Sequence, residues 1–135
     1  MDYTNDNIID NLFRISGKVT SGRQLGRTVS MPTANLLTSE DISSIPSGVY
    51  ATELLLEQRL LKGISHIGRR PSVDKDDDIT IETYIFDFNE DIYDKQVCLI
   101  GHMFIRDTIE FNSLDDVKKQ VDLDILAAME YFKTV

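Results

Sequence analysis

The sequence predicts a mainly β fold, an antiparallel barrel or sandwich, with one α-helix at the C-terminal end. Between residues 15 and 105, short runs of β-branched and aromatic residues recur, and glycine or proline interrupts them. No helical pattern separates these runs, which disfavours a parallel sheet with crossover helices. One amphipathic pattern follows them, over about residues 113–132, and is long enough for a helix that covers the strands.

The first two elements are predicted from local spacing. Residues 6–14 place apolar side chains at helical intervals, which predicts a short leading helix. The barrel follows over about residues 14–105. Its candidate strands are 14–21, 48–57, 60–67, 79–88 and 95–105.

The last helix has the clearest signal. Ser113 followed by Asp116 resembles a capping box, in which the first side chain accepts a bond from a backbone N–H three residues on. Apolar residues then recur every three to five positions, and this stripe is expected to pack on the barrel. Its members are Leu114, Val117, Val121, Leu126, Met129 and Phe132.

Length and composition limit the class of protein. The chain has 135 residues, which suits one domain, 1–135, with a single core. It carries 14 Lys and Arg against 23 Asp and Glu, a net charge of −9, which disfavours nucleic acid and an anionic membrane as partners. The single cysteine, Cys98, excludes an internal disulfide. With no secretory signal pattern and no apolar run of membrane length, we expect a cytoplasmic monomer.

The acidic average conceals two windows without any Asp or Glu, residues 11–39 and 58–73. The basic residues that they contain are Arg14, Lys18, Arg23, Arg27, Arg59, Lys62, Arg69 and Arg70. An acidic protein that binds a polyphosphate must keep its carboxylates away from that ligand. The windows are therefore candidate anion-binding regions.

The first window contains a stretch with three glycines and three basic residues, from Gly17 to Arg27. Glycine-rich turns can direct several backbone N–H groups at one anion, and added Arg and Lys suit a polyphosphate. The stretch lacks the G-K-[S/T] ending of a P-loop. A hairpin turn with solvated basic side chains explains the same spacing.

Thr33 and Asn35 follow in the segment Met31-Pro32-Thr33-Ala34-Asn35-Leu36. In an extended backbone, residues two apart point the same way. A hydroxyl and an amide oxygen on one side are suitable ligands for Mg²⁺. The alternative is a polar turn without a ligand.

Glu82 lies in an alternating segment, residues 79–88, on the same predicted face as Tyr84, Phe86 and Phe88. Aromatic neighbours desolvate a carboxylate and raise its pKa, which suits a general base near neutral pH. The alternative is a glutamate at the strand end that reaches water. Neither His66 nor His102 has neighbours at metal-ligand spacing, so we assign neither to a metal.

Together these segments resemble the riboflavin kinase family. Its motifs run in the order G-x-V-x-x-G-x-x-L-G-R, G-x-P-T-A-N, G-V-Y-A, I-G-x-R-P-T, E-x-x-x-x-D-F…Y-G and R-x-x-x-x-F-x-S. The matching residues are Gly17 to Arg27, Ser30 to Asn35, Gly48 to Ala51, Ile67 to Ser72, Glu82 to Tyr93, and Arg106 to Ser113. The match runs in order over about residues 12–130.

The resemblance implies a six-stranded antiparallel Greek-key β-barrel with the C-terminal α-helix packed on it. It implies transfer of a phosphoryl group from ATP to the 5′-hydroxyl of riboflavin, which gives FMN, with Mg²⁺ or another divalent cation. The implied roles are Glu82 as the catalytic base, Gly22, Arg27, Thr33 and Tyr93 as ATP-binding residues, Arg106 and Phe111 as flavin-binding residues, and Thr33 and Asn35 as metal ligands. Many bacterial relatives also carry an adenylyltransferase domain, and FAD synthesis is not expected of this chain.

Several positions depart from the family pattern. Ser30 and Asp94 stand where the family usually has glycine, His66 replaces a usual asparagine, and Ser72 replaces a usual threonine. Thr108 and Ile109 lack the basic residue often found in the flavin loop. These departures motivate an alternative function, a flavin- or nucleotide-binding paralogue that acts as a sensor. Retention of Glu82 favours the enzyme, because a protein that only binds needs no base.

Overall fold

The strands close into a barrel, and one helix lies against its outer face. The computed structural model describes residues 11–20, 33–70 and 78–135, and of Arg70 and Asp78 the backbone alone. Within these ranges there are six strands and one helix. They are β1 (Phe13–Thr20), β2 (Ala34–Leu37), β3 (Gly48–Leu56), β4 (Arg59–Arg70), β5 (Asp78–Ile85), β6 (Gln96–Arg106) and α1 (Leu114–Lys133).

The barrel has the strand order β1-β2-β5-β4-β3-β6, and every pair of neighbours is antiparallel. Strands β3, β4 and β5 form a meander, and β6 returns to lie beside β3. This is a Greek-key connection, so the predicted architecture is confirmed. The strand pattern alone left β2 out, because four residues are too few for alternation to be visible.

Strand β1 begins earlier than the sequence indicated. Ile15, Gly17 and Val19 are buried, and the residues between them are exposed, as expected for a strand with one face inward. The predicted helix over residues 6–14 is therefore wrong at its end, because Phe13 already pairs with Gly101 on β6. Residues 6–10 lie outside the described ranges.

The barrel interior is apolar apart from a row of three hydroxyl groups that contact one another. Ile15, Leu54, Ile67 and Leu99 are fully buried there. The Oγ atom of Ser65 lies 2.8 Å from Thr52 Oγ1 and 2.7 Å from Thr83 Oγ1, on three neighbouring strands. These buried hydroxyls satisfy one another, as buried polar groups must.

Strand β5 ends at Ile85 rather than at the predicted residue 88. Asp87 has φ 52, a left-handed backbone that ends the strand in a turn. Because alternation stops there, Phe88 packs against the interior cluster, whereas Tyr84 and Phe86 pack on the outer face near the helix. The prediction that Phe88 shares the face of Glu82 is wrong.

The helix begins as predicted. Ser113 is its N-cap, and Ser113 Oγ accepts a hydrogen bond of 3.1 Å from the backbone N–H of Asp116. The face that packs on the barrel consists of Val117, Val121, Asp124, Ile125, Ala128 and Phe132.

The predicted apolar stripe is confirmed at Val117, Val121 and Phe132 and is wrong at its other three positions. Leu126 and Met129 are 59% and 41% exposed, and Leu114 at the helix start is 53% exposed. A charged residue, Asp124, occupies a buried position of the true stripe. The prediction considered apolar residues only, so it omitted Asp124 and included the exposed Leu126 and Met129 instead. In the described part of the chain, no helix is both long enough and apolar enough to span a membrane.

Candidate active site

One row of residues crosses five neighbouring strands on the outer face of the barrel. Asn35 on β2 lies opposite Glu82 on β5, and Glu82 lies opposite His66 on β4. The row continues through Val49 on β3 to Arg106 on β6. Directly opposed residues share a face, with Cβ atoms about 5 Å apart. The register therefore aligns in one row residues separated by up to about seventy positions in the sequence, and each lies next to its neighbours in the row.

Two clefts lie beside this row. The first, the helix-side cleft, lies between the barrel and α1 and encloses about 140 Å³. It is lined by Thr33, Val49, Ile64, Ser65, His66, Glu82, Tyr84, Arg106, Thr108, Ile109, Phe111, Val117, Val121 and Asp124. The second, the loop-side cleft, encloses about 520 Å³. Its lining includes Thr20, Thr33, Thr83, Phe88, Asn89 and Tyr93.

The clefts separate the predicted site residues into two groups. Glu82, Arg106 and Phe111 line the helix-side cleft, and Tyr93 lines the loop-side cleft. Thr33 lines both clefts, so it stands at their junction. This arrangement suits two different ligands whose reacting ends meet near Thr33 and Glu82.

The side chains of Thr33 and Asn35 present two buried oxygens. Thr33 Oγ1 and Asn35 Oδ1 are both buried, and neither has a hydrogen-bond partner among the described residues. Buried polar atoms normally have a partner, so this pair calls for an explanation. Hydroxyl and amide oxygens are hard ligands that suit Mg²⁺ when water and phosphate complete its shell. The residues present therefore fit the cation that the resemblance implies.

A conventional metal cluster is not found in the described part of the chain, where no three His, Cys, Asp or Glu residues group around one point. A cation held by Thr33 and Asn35 would thus depend on a ligand for most of its coordination. Such a site is typical of Mg²⁺ that enters with a nucleotide.

Glu82 lies in the middle of β5, not at its end, and is half-buried. The ring of Tyr84, two residues on, packs against Phe86 at a centroid distance of 5.8 Å. Glu82 also stands between Asn35 and His66 in the strand register. The idea of a glutamate at a strand end does not fit this position. Two of the three predicted aromatic neighbours are on its side of the barrel.

Arg106 is held in place from the helix. Its Nε and Nη2 atoms donate to the two carboxylate oxygens of Asp124, each at 2.9 Å. Asp124 is 1% exposed, and Gln120 donates a further bond to it at 3.0 Å. A bidentate pair of this kind fixes the guanidinium plane. Arg106 therefore has a set orientation at the wall of the helix-side cleft.

Residues 107–113 connect β6 to α1 and form the cover loop. It brings Phe111 to a position where its ring centroid lies 5.8 Å from Arg106 Cζ. Ile109 on the same loop is 45% exposed and lines the cleft. An aromatic ring, an aliphatic side chain and a guanidinium plane together suit a flat aromatic ligand.

His66 joins this loop to the barrel. Its Nε2 atom lies 3.0 Å from Thr108 Oγ1. Burial lowers the pKa of the His66 imidazole, and the positive charge of Arg106 lowers this pKa further, against an opposing contribution from Asp124. The ring is therefore neutral at pH 7, with one nitrogen as donor and the other as acceptor.

Tyr93 is 57% exposed at the edge of the loop-side cleft, and its backbone N–H donates to Asp91 Oδ1 at 3.0 Å. The following residue, Asp94, has φ 73, a backbone region that favours glycine. This explains why a glycine suits that position in the family. The Asp94 carboxylate lies 3.7 Å from Lys18 Nζ at the surface and does not line either cleft.

The remaining predicted residues, Gly22 and Arg27, lie outside the described ranges, as do Ser30 and Ser72. Their assignments stay predictions. Sequence reasoning missed Asp124, although a lone acidic residue at a buried position of an amphipathic helix is a detectable signal. The sequence identified Thr108 only as a position that differs from the family pattern. It did not predict the contact with His66, because the two residues are 42 positions apart and such a contact produces no pattern among neighbouring residues.

The fold and site define a class of protein: a small β-barrel in which two clefts meet at Thr33, the Glu82 carboxylate lines one of them, and Asn35 lies opposite that carboxylate. A family model described as Flavokinase: Riboflavin kinase matches residues 9–132. The chain therefore belongs to the riboflavin kinase family.

Curated relatives agree with this membership. The chain is 33% identical over 130 residues to a bifunctional riboflavin kinase/FMN adenylyltransferase of Haemophilus influenzae. The aligned region covers 96% of this chain and 42% of the relative. It is 36% identical over 128 residues to the protein of the same description from Escherichia coli strain K12. That alignment covers 94% of this chain and 40% of the relative. The chain thus spans about two fifths of the length of these relatives.

Two solved structures are similar to the barrel. One is described as a macrolide-efflux protein from Streptococcus pneumoniae, with a TM-score of 0.77 and 31% identity over 82% of this chain and 36% of that chain. The other is riboflavin kinase from Trypanosoma brucei, with a TM-score of 0.62 and 21% identity over 89% of this chain and 79% of that chain. The second likeness supports the fold.

Proposed function

We propose that this chain is a riboflavin kinase that transfers the γ-phosphoryl group of ATP to the 5′-hydroxyl of riboflavin and releases FMN and ADP. Family membership supports the reaction, and the two clefts support a site for two substrates. The observation that carries the proposal is the strand register. It sets Asn35 opposite Glu82, and Glu82 lines the helix-side cleft together with Thr33, the residue that lines both clefts. Asn35 itself lines neither cleft.

In this proposal, riboflavin occupies the helix-side cleft. Its flat ring system would contact Phe111 and Ile109 of the cover loop, and Arg106 would border it in the orientation that Asp124 sets. The ribityl chain would then extend toward Glu82. ATP would approach from the loop-side cleft, with its adenine near Tyr93 and its phosphates near Thr33. The resemblance implies Gly22 and Arg27 as further ATP-binding residues, and these lie outside the described ranges.

Glu82 is proposed as the general base. Its carboxylate would accept the proton of the riboflavin 5′-hydroxyl as that oxygen forms its bond to the γ-phosphorus, while the bond from phosphorus to the ADP oxygen breaks. A positioned base of this kind contributes about 10²–10⁴ to the rate. The half-buried place of Glu82 in β5 limits the water that could compete for the proton.

Thr33 and Asn35 are proposed as the protein ligands of a divalent cation that accompanies ATP. When bound, such a cation neutralises negative charge on the phosphates. The two side chains would orient it through oxygens that are buried and unpaired among the described residues. Positioning and charge neutralisation are the main requirements of phosphoryl transfer, and these residues supply the positioning.

A direct assay tests the proposal. The purified chain is incubated with riboflavin, ATP and MgCl₂, and FMN is measured by chromatography. FMN formation that requires both ATP and Mg²⁺ is the expected result. Tight riboflavin binding without any FMN would contradict the kinase and favour the alternative of a non-catalytic sensor.

The role of Glu82 has its own test. Glu82→Gln should lower kcat by about 10²–10⁴ while riboflavin binding is retained, because the amide keeps the shape but cannot accept the proton. Glu53→Gln is the matched control, since Glu53 is another half-buried strand glutamate on the outer face but lines neither cleft. Turnover of Glu82→Gln close to that of Glu53→Gln would remove Glu82 from the mechanism.

A further inference from the structure

The cover loop, residues 107–113, is attached to the rest of the structure at its start, at its end and in between. Arg106, just before it, is fixed by Asp124 and also donates to the Asp107 carbonyl oxygen at 3.0 Å. Ser113, at its end, caps the helix. Between these two ends, the bond of 3.0 Å between Thr108 Oγ1 and His66 Nε2 links the loop to strand β4.

The His66 ring packs over the glycine two residues further along β4. A Cβ atom on Gly68 would lie 3.0 Å from His66 Cε1 and 3.6 Å from His66 Nδ1, so the ring lies over the space that the glycine leaves open. The opposite ring nitrogen, Nε2, then faces Thr108. An asparagine, with a shorter side chain, would not extend as far over Gly68 toward the loop.

The loop that His66 contacts carries two of the apolar side chains that line the helix-side cleft. Ile109 and Phe111 line the cleft, and Ile109 is 45% exposed. A loop that is already ordered loses less conformational entropy when a ligand binds. The bond to His66 therefore acts on binding before any chemistry takes place.

We propose that His66 and Thr108 form a latch that holds the cover loop over the helix-side cleft and sets the affinity for riboflavin. This inference rests on the proposed function, because it assigns riboflavin to that cleft. His66 is a positioning residue, since it acts through the loop and not on the reacting atoms. Its place in the row beside Glu82 makes Thr108 the better residue to change first.

The test is a double-mutant cycle read by riboflavin affinity. Thr108→Val removes the hydroxyl at nearly constant volume, Thr108→Ser keeps it, and His66→Asn shortens the partner. Riboflavin dissociation constants are measured from the quenching of flavin fluorescence, with steady-state kinetics alongside. The midpoint temperature of unfolding of each variant shows that it is folded.

We expect Thr108→Val to weaken riboflavin binding by about 3- to 10-fold, the net effect of one hydrogen bond. The riboflavin KM should rise with the dissociation constant, while kcat and the ATP KM stay within about 2-fold of wild type. Thr108→Ser should restore the affinity. The double variant should bind about as well as either single variant, because the same bond is lost once.

Three results would overturn the latch while the kinase proposal stands. The first two are wild-type affinity in Thr108→Val and a double variant whose loss equals the product of the single losses. A fall in kcat without a change in riboflavin affinity would also overturn it. A wild-type chain that neither binds nor phosphorylates riboflavin would refute the proposed function itself, and the latch with it.

Discussion

The pair of Arg106 and Asp124 gives a sharp test of how the helix supports the site. Asp124 is 1% exposed and Arg106 is 16% exposed, and two hydrogen bonds of 2.9 Å join them. Asp124→Asn keeps the size of the side chain but removes the negative charge. One of its two terminal groups then becomes an N–H donor that faces the donors of Arg106.

The magnitude follows from burial. Removal of one partner of a buried ion pair destabilises a protein by about 3–5 kcal/mol, because the other charge stays buried without compensation. The asparagine oxygen can still accept one bond, and Arg106 keeps its bond to Asp107, so we expect a loss of about 3 kcal/mol. For a chain of this size, that corresponds to a fall of about 10 °C in the midpoint temperature of unfolding. Riboflavin binding should weaken as well, because Arg106 would lose its fixed orientation.

Thermal and urea unfolding of the wild type and Asp124→Asn measure this loss. Asp122→Asn is a matched control on the same helix, since Asp122 pairs with Lys118 at 3.2 Å but both side chains are 55% exposed. An exposed pair of this kind contributes less than about 0.5 kcal/mol. If Asp124→Asn were no less stable than Asp122→Asn, the argument that the buried carboxylate holds Arg106 would be refuted.

Two further predictions concern the cation and pH. Asn35→Ala should raise the Mg²⁺ concentration needed for half-maximal turnover by about 10- to 100-fold, as seen when the surroundings of a metal are altered. Asn112→Ala, at an exposed asparagine, is the control. If Asn35→Ala required no more Mg²⁺ than this control, Asn35 would be excluded as a ligand. Burial lowers the pKa of His66 in the folded chain, so below the ordinary imidazole value of 6.5 the unfolded chain binds more protons than the folded chain. The free energy of unfolding should therefore fall as pH drops just below about 6.5, and urea titrations of His66→Asn should show a smaller decline over that interval. Carboxylates with lowered pKa values, such as Asp41 and Glu53, add a decline in more acidic solution in both proteins.

Much of the fold could be predicted because its signals are local. Alternation in β5, the cap at Ser113 and the glycine and proline punctuation each depend on a few neighbouring residues. The errors arose where a distant contact decides the outcome. Phe13 joins a strand because it pairs with Gly101, and the charged Asp124 is buried because Arg106 meets it there.

The site could be predicted in its chemistry but not in its arrangement. The residue types of Thr33, Asn35 and Glu82 suggested an oxygen pair and a base, and the resemblance to a family assigned their roles. Only the pairing of β2 with β5 places Asn35 opposite Glu82. Strand register depends on the closure of the whole barrel, which no short segment encodes.

By itself, the sequence determined the class of fold, the family and the chemical nature of the groups available for phosphoryl transfer, because these depend on residue type, order and periodicity. The tertiary structure alone decided that two clefts meet at Thr33, that Asp124 fixes Arg106, and that His66 binds Thr108. Each of these is a contact between residues far apart in the chain. Their energy comes from burial and hydrogen bonds that exist only once the barrel has closed and the helix has packed on it.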